Sequence, residues 1–352
     1  MRAAHISAWV ELPQPFLPSE ALAAGLGKTA LAGAIRRRHV IRVAPSLYAA
    51  REPWLELTAK DAHRALTRPA QQLVAGSVVS HASAAVLHGF PAPQGPLGKV
   101  SLTVNKTSHK TSRTSYPDDW RRVLHGALPD EHIAELDGIP LTTPARTVVD
   151  CFRQHRLRNA LAIADGALRA GLTTVEELRE MRAFQKRWPG IRLADEGLAL
   201  ADGRRESWLE SASVAVASRR GFSTPESQVH LHTLEGEFVA RVDLLWRSAG
   251  VIGECDGRGK YQGEFAEGEW DAEAAAAVMV AERERERGLE QIGFAVGRWG
   301  TSGLRNYGEA MVAELQAARR RAAPDKIRCL WRVDEDEPLR EWTSFTASTS
   351  GH

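Results

Sequence analysis

The sequence predicts a multidomain chain of the α+β / α/β class. It divides into an N-terminal winged helix-turn-helix (1–50), a mixed α/β middle region (51–195), a C-terminal αβββαβ unit (196–320) and a tail (321–352). Three observations carry this reading. The chain opens on helix, breaker, helix and two short β-type runs. Gly and charge crowd "WPGIRLADEGLALADGRRES", which marks a boundary near residue 200. Beyond it come an amphipathic helix, three β-type runs, a long Ala/Glu/Arg-rich helix and a fourth run.

In the first segment Pro18-Ser19 predicts an N-cap before a helix at Glu20–Ala24, and Gly25-Leu26-Gly27 breaks it. A second helix runs from Lys28 to about Arg38, with Leu31 and Ile35 at i, i+4 on one face. "VIRVAPSLYAA" follows as a hairpin around Pro45-Ser46. In this arrangement Lys28, Thr29, Arg36, Arg37, Arg38 and Arg42 flank the helix that would enter a major groove, where cations meet phosphates and base edges. Read alone, the same residues also describe a helical hairpin whose basic last turn suits the helix dipole. Charge favours the DNA reading: residues 1–125 carry 16 Lys+Arg against 7 Asp+Glu, although the whole chain is only +2.

The middle region reads as a strand and a helix from Ser80 ended by Gly89 and Pro91. A strand entering a basic loop follows, then helices capped at Thr142/Thr143 before Pro144. His81 and His88, at i, i+7, read as structural and receive no chemistry. Cys151, Cys255 and Cys329 form neither a disulfide framework nor a zinc spacing, and no run reaches the ~18 apolar residues of a membrane span. With no signal peptide in the first residues, the expected setting is the reducing cytoplasm, without a membrane partner.

The C-terminal unit places acids in apolar strands. In "EFVARVDLLW", period-two alternation turns Phe238, Ala240, Val242, Leu244 and Trp246 to a core and Arg241, Asp243 and Leu245 away from it. In "GVIGECDG", Ile252, Glu254 and Asp256 oppose Val251, Gly253 and Cys255. Only "RSAG" joins the runs, so they should be antiparallel neighbours that bring Asp243 near Glu254. Clustered carboxylates repel unless protonated or holding a cation, which suits a magnesium site; an Asp243–Arg241 pair is the structural alternative.

These residues resemble the PD-(D/E)xK, or restriction-endonuclease-like, nuclease fold over Glu206–Trp299, in its very-short-patch-repair (Vsr-like) branch. The resemblance implies a DNA endonuclease that hydrolyses phosphodiesters, with Mg²⁺ or Mn²⁺ held by Glu210, Asp243 and Glu254. It implies catalytic roles for Asp243, Glu254, Asp256 and Lys260, with Glu206 as alternate to Glu210 and Arg298 supporting developing charge. The chain departs from the pattern at Asp256, which stands where the motif has lysine; Lys260 is the candidate substitute. Residues 5–50, "SHASAAVLHGFP" and "GIPLTTPARTVVD" resemble the AbiEi antitoxins of type IV toxin–antitoxin systems. That resemblance implies a winged helix that represses its own promoter, a cognate toxin protein as partner, and a competing reading as a non-catalytic regulator. An RNA substrate is not separated by sequence, since no aromatic stacking motif appears.

Overall fold

The computed structural model describes residues 7–91, 95–106, 119–256, 285 and 287–343. The chain is a mixed α/β protein of two units. One comprises Met1–His155 with Leu172–Asp195, the other Arg156–Gly171 with Glu196–His352.

The first unit begins with helices α1 (Pro18–Ala23) and α2 (Lys28–Arg36) and the antiparallel pair β1 (Val40–Ala44) and β2 (Leu47–Ala50). This is the expected order of helix, turn, helix and hairpin. Helix α1 starts two residues earlier than the sequence suggests. Its cap is the Leu17 amide, which donates to the Glu20 carboxylate at 2.7 Å, instead of the Ser19 hydroxyl. Helix α2 ends at Arg36, because Arg38 takes a left-handed φ of 60° that stops the turn. A helical stretch at 7–10 brings Trp9 onto Phe16, Ala21, Leu31, Ala34 and Val40 in one small core. Ile35 lies outside that core and is exposed. Ala34, three residues after Leu31, takes the inward position expected of Ile35. Arg68 pins this module to the helix below it through Glu20 at 2.8 Å and the Pro15 carbonyl at 3.2 Å.

That helix, α4 (Ala59–Gln72), follows a short α3 (Arg51–Glu56) and is capped by Thr58. A five-stranded sheet forms from β3 (Ser77–Val79), β4 (Val100–Asn105), β5 (Arg121–Gly126), β6 (Ile133–Leu136) and β7 (Ile139–Thr142), in spatial order β5-β4-β3-β7-β6. Helix α5 (His81–Leu87) follows Ser80 and stops before Gly89 (φ 80°), and α6 (Pro144–Gln154) follows Thr143, all as expected. Asp150 on α6 is fully buried. It accepts from Arg146 at 2.8 Å, Arg153 at 2.9 Å and Gln185 at 3.1 Å, so it holds the segment after α8 (Val175–Phe184) to α6.

Helix α7 (Leu157–Arg169) belongs to the second unit, although it lies well before the sequence boundary near 195. It is buried nearly all round and packs on α10 (Trp208–Arg219), which follows α9 (Ile191–Leu198). The fastening is polar. Asp165 on α7 accepts from Arg205 at 2.6 Å, Ser211 at 2.7 Å and the Asp202 amide at 2.8 Å. Burial lifts its carboxyl to about 6 against the opposing pull of Arg205.

In the second sheet, strands β8 (Glu226–His232), β9 (Phe238–Trp246) and β10 (Val251–Cys255) form an antiparallel meander, and β11 (Ala295–Trp299) joins β10 in parallel. Most of the helix expected at 269–291 lies outside the described residues, but 287–292 are helical. After α11 (Glu309–Arg321), strands β12 (Leu330–Arg332) and β13 (Arg340–Glu341) extend the sheet beyond β8, giving the order β11-β10-β9-β8-β12-β13. The sequence reading of 321–352 as a tail is therefore corrected for residues up to 341. Ile327, Cys329, Trp331 and Trp342 are core residues there.

Removing one member of a buried ion pair leaves an uncompensated charge. Asp165→Ala should therefore lower the stability of the second unit by about 3–5 kcal/mol, with a smaller loss for Asp165→Asn. Denaturant unfolding followed by tryptophan fluorescence measures it, and an unchanged midpoint would refute this role for the pair.

Candidate nucleic-acid interface and carboxylate cluster

The exposed side of α2 is a stripe. Leu31, Gly33 and Ala34 are buried, while Lys28, Ala32 and Arg36 are exposed at the i, i+4, i+8 spacing of one helix face, with Thr29 exposed beside them. Arg37 and Arg38 leave the end of the helix and Arg42 lies on β1, all exposed. Among the described residues none of these cations forms an ion pair with a carboxylate. The Arg42 guanidinium reaches only the Ala44 carbonyl of its own strand, at 3.3 Å. All six residues expected to meet DNA are thus brought onto one small module. Sequence reading passed over Ala32, which the 28-32-36 period would have found; its methyl adds little bulk between the two cations.

The carboxylates of the second unit gather where β9 and β10 part. The ladder between those strands ends at the Gly253–Leu244 pair, and Asp243 continues it with its side chain, accepting the Cys255 amide at 2.8 Å. Glu254 is buried. One oxygen pairs with Arg285 at 3.2 Å, while the other, Oε1, is buried with no hydrogen-bond partner among the described residues. Its register neighbour on β11 is Arg298. Burial raises the Glu254 carboxyl to about 7; Arg285 pulls it down and Asp243 pushes it further up.

Glu210 has another occupation. Ser207 caps α10, and Glu210 in the first turn accepts the Ser207 hydroxyl at 2.6 Å, the Glu206 amide at 3.0 Å and Gln228 at 2.7 Å. Burial raises its carboxyl, and nearby Asp243 adds to the rise. The Ser-x-x-Glu spacing of a capping box was legible in the sequence, whereas Gln228 carried no signal. Arg241 does not pair with Asp243; it pairs with Glu206 at 2.5 Å. Asp256 is exposed beyond the end of β10, its amide bonded to the Trp299 carbonyl at 2.9 Å, and Lys260 lies outside the described residues.

The alternation expected in β9 holds from Ala240 to Trp246, except that Leu245 is buried as well. Phe238 is exposed, since a register shift between Leu231 and His232 puts it out of line. In β10, Gly253 permits a close approach. A Cβ there would stand 2.5 Å from Trp299 and 2.8 Å from Trp246, the two indoles beneath the site. Cys255 turns its thiol to Ser213 of α10 at 3.7 Å, as expected of a residue facing away from the acids.

Each carboxylate of the cluster already meets protein donors. Glu210 is committed to capping, Asp243 to the Cys255 amide and one Glu254 oxygen to Arg285. Among the described residues no group of three or more His, Cys, Asp or Glu side chains converges for a metal ion.

Residues 74–193 match the family described as the AbiEi antitoxin C-terminal domain. Two curated proteins of Mycobacterium tuberculosis, the uncharacterized proteins MT2308 (strain CDC 1551 / Oshkosh) and Rv2248 (strain ATCC 25618 / H37Rv), are similar to this chain. Each is 32% identical over 164 residues, which is 47% of this chain and 56% of the relative. The chain thus spans about half the length of these relatives. No helix among the described residues is long and apolar enough to cross a membrane.

A carboxyl raised by folding binds its proton more tightly in the native state, so its stabilisation is complete below the unfolded value of 4.5 and is lost as pH climbs through about 7. Wild type should lose about 1.4 kcal/mol relative to Glu254→Gln for each pH unit inside that window. Thermal melts of both proteins from pH 4.5 to 8 check this, and parallel pH curves would contradict it.

Proposed function

We propose that the protein is a DNA-binding regulator of the AbiEi antitoxin kind, which reads duplex DNA with its winged helix and has a cognate toxin protein as a further partner. The carrying observation is the stripe of Lys28, Thr29 and Arg36 with Arg37, Arg38 and Arg42 beside it, exposed on a module whose opposite face is core. A helix so presented fits a major groove while the hairpin lies along the backbone. The match of residues 74–193 to an antitoxin domain supports the same reading.

Substituting Lys28, Arg36 or Arg42 by Gln should leave stability within about 0.5 kcal/mol, since all three are exposed. Each change should weaken binding to the DNA upstream of the protein's own gene and reduce the salt slope of log K by about one. Mobility-shift titrations across a salt series measure both. The reading fails if wild type shows no preference for that DNA over unrelated duplex, or if the variants bind as wild type does.

A second reading, a DNA endonuclease working with Mg²⁺ or Mn²⁺, is favoured by one observation. Helix α10, the β8–β9–β10 meander, the helix ending at 292 and the parallel strand β11 follow one another in the αβββαβ order, with Asp243 and Glu254 where two strands diverge. Its candidate residues are Asp243, Glu254, Asp256 and Lys260. Plasmid cleavage in either metal that disappears in Asp243→Asn would support it; specific binding with no cleavage in either metal leaves the regulator.

A further inference from the structure

The first unit contains a cavity of about 590 Å³, open to solvent, between β4, β5, α6 and the 188–190 segment. None of the residues considered for DNA binding or catalysis lines it.

His81 forms part of the lining. It is buried, opens α5 with a left-handed φ of 55°, and its Nδ1 lies 2.9 Å from the Ser80 hydroxyl. That hydroxyl accepts from Thr103 at 2.8 Å, and in the tautomer where it donates its own proton to Nδ1 the imidazole proton sits on Nε2. This N–H is buried without a hydrogen-bond partner among the described residues. Burial, with Arg122, His155 and Arg153 against Asp150, holds the imidazole down to about 4, so it stays a neutral donor at physiological pH.

Among the other polar groups of the wall, cations outnumber carboxylates. Lys106, Arg146 and Arg153 line the cavity with a single carboxylate, Asp150, which pairs with both arginines. The guanidiniums are fixed in place by the Trp188 ring, 4.7 and 4.9 Å from its centroid, and by the Ala127 and Pro189 carbonyls at 3.2 and 2.9 Å. Gly190, with φ 80°, abuts the Arg153 carbonyl where no Cβ fits, so the segment carrying Trp188 closes tightly on α6.

An orphaned buried donor beside two fixed guanidiniums that share one carboxylate, with the exposed Lys106 in the same wall, asks for a ligand that only accepts hydrogen bonds and carries more than one negative charge. We propose that this cavity binds the phosphate monoester of a nucleotide-sized small molecule. His81 and Lys106 meet the phosphoryl oxygens, and the Arg146–Asp150–Arg153 group supplies a rigid positive wall. The volume exceeds what inorganic phosphate alone would fill, which leaves room for the rest of the molecule beside Leu124 and Trp188.

Isothermal titration of the full chain with inorganic phosphate, AMP, GMP, adenosine and guanosine tests this, alongside a short single-stranded oligonucleotide with and without a 5′-phosphate. Phosphate-dependent binding of AMP or GMP, absent for the nucleosides, is expected. His81→Asn keeps a residue type that tolerates left-handed φ but removes Nε2–H, and Lys106→Gln changes an exposed side chain; each should weaken binding about tenfold or more. Circular dichroism melts establish that both variants fold. The proposal is overturned if neither AMP nor GMP binds more tightly than about 1 mM, if the nucleosides bind equally well, or if both variants bind as wild type does. Binding of the 5′-phosphorylated oligonucleotide without either monophosphate also overturns it, in favour of a nucleic-acid end.

Discussion

A carboxylate removed from water must be engaged by donors or give up its charge, and the organisation of this chain depends on that constraint. Asp150 and Asp165 lie on consecutive helices, and each is enclosed by guanidinium and hydroxyl or amide donors. The first draws residues near 185 back to the unit that α6 belongs to. The second fastens α7 to the residues after 200. Between them they account for a chain that leaves one unit at 155, contributes a helix to the other, and returns from 172 to 195.

The acids of the second sheet obey the same rule in other ways. Glu210 is satisfied by capping its own helix, Asp243 by replacing a rung of the ladder where β10 moves away, and Glu254 by one arginine together with a raised affinity for a proton. Of these three, Glu254 is the one whose second oxygen is buried without a partner among the described residues. Two of the three carboxylates, Glu210 and Asp243, are thus engaged by neutral protein donors and the third by an arginine.

On the opposite electrostatic side, the first unit keeps its cations in two distinct states. Those of α2 and β1 stand in solvent, where they are screened by salt. Those around Asp150 are held against Trp188 and backbone carbonyls. A solvated surface stripe suits a polyanion that can be approached in many registers, whereas fixed guanidiniums suit a ligand of defined shape.

Much was legible in the sequence because its cause is local. The breaker at Gly25-Leu26-Gly27, the turn at Pro45-Ser46, the Ser80 and Thr143 helix starts and the three-strand meander follow from residue preference and period. So did the outward placing of Asp243 and Arg241 and the grouping of the basic residues around α2. Other features needed the tertiary structure. Ala34 and not Ile35 took the core position beside Leu31, and Arg241 found Glu206 because the fold joins elements 35 residues apart in sequence. Strand β12 joined the sheet because the free edge of β8 was available to Trp331 and its neighbours. The setting of His81 came from Thr103 acting through Ser80, a chain of hydrogen bonds between β4 and α5. Periodicity determines which way a residue faces, but only the fold determines which partner it meets, because partners are set by contacts between segments remote in the chain.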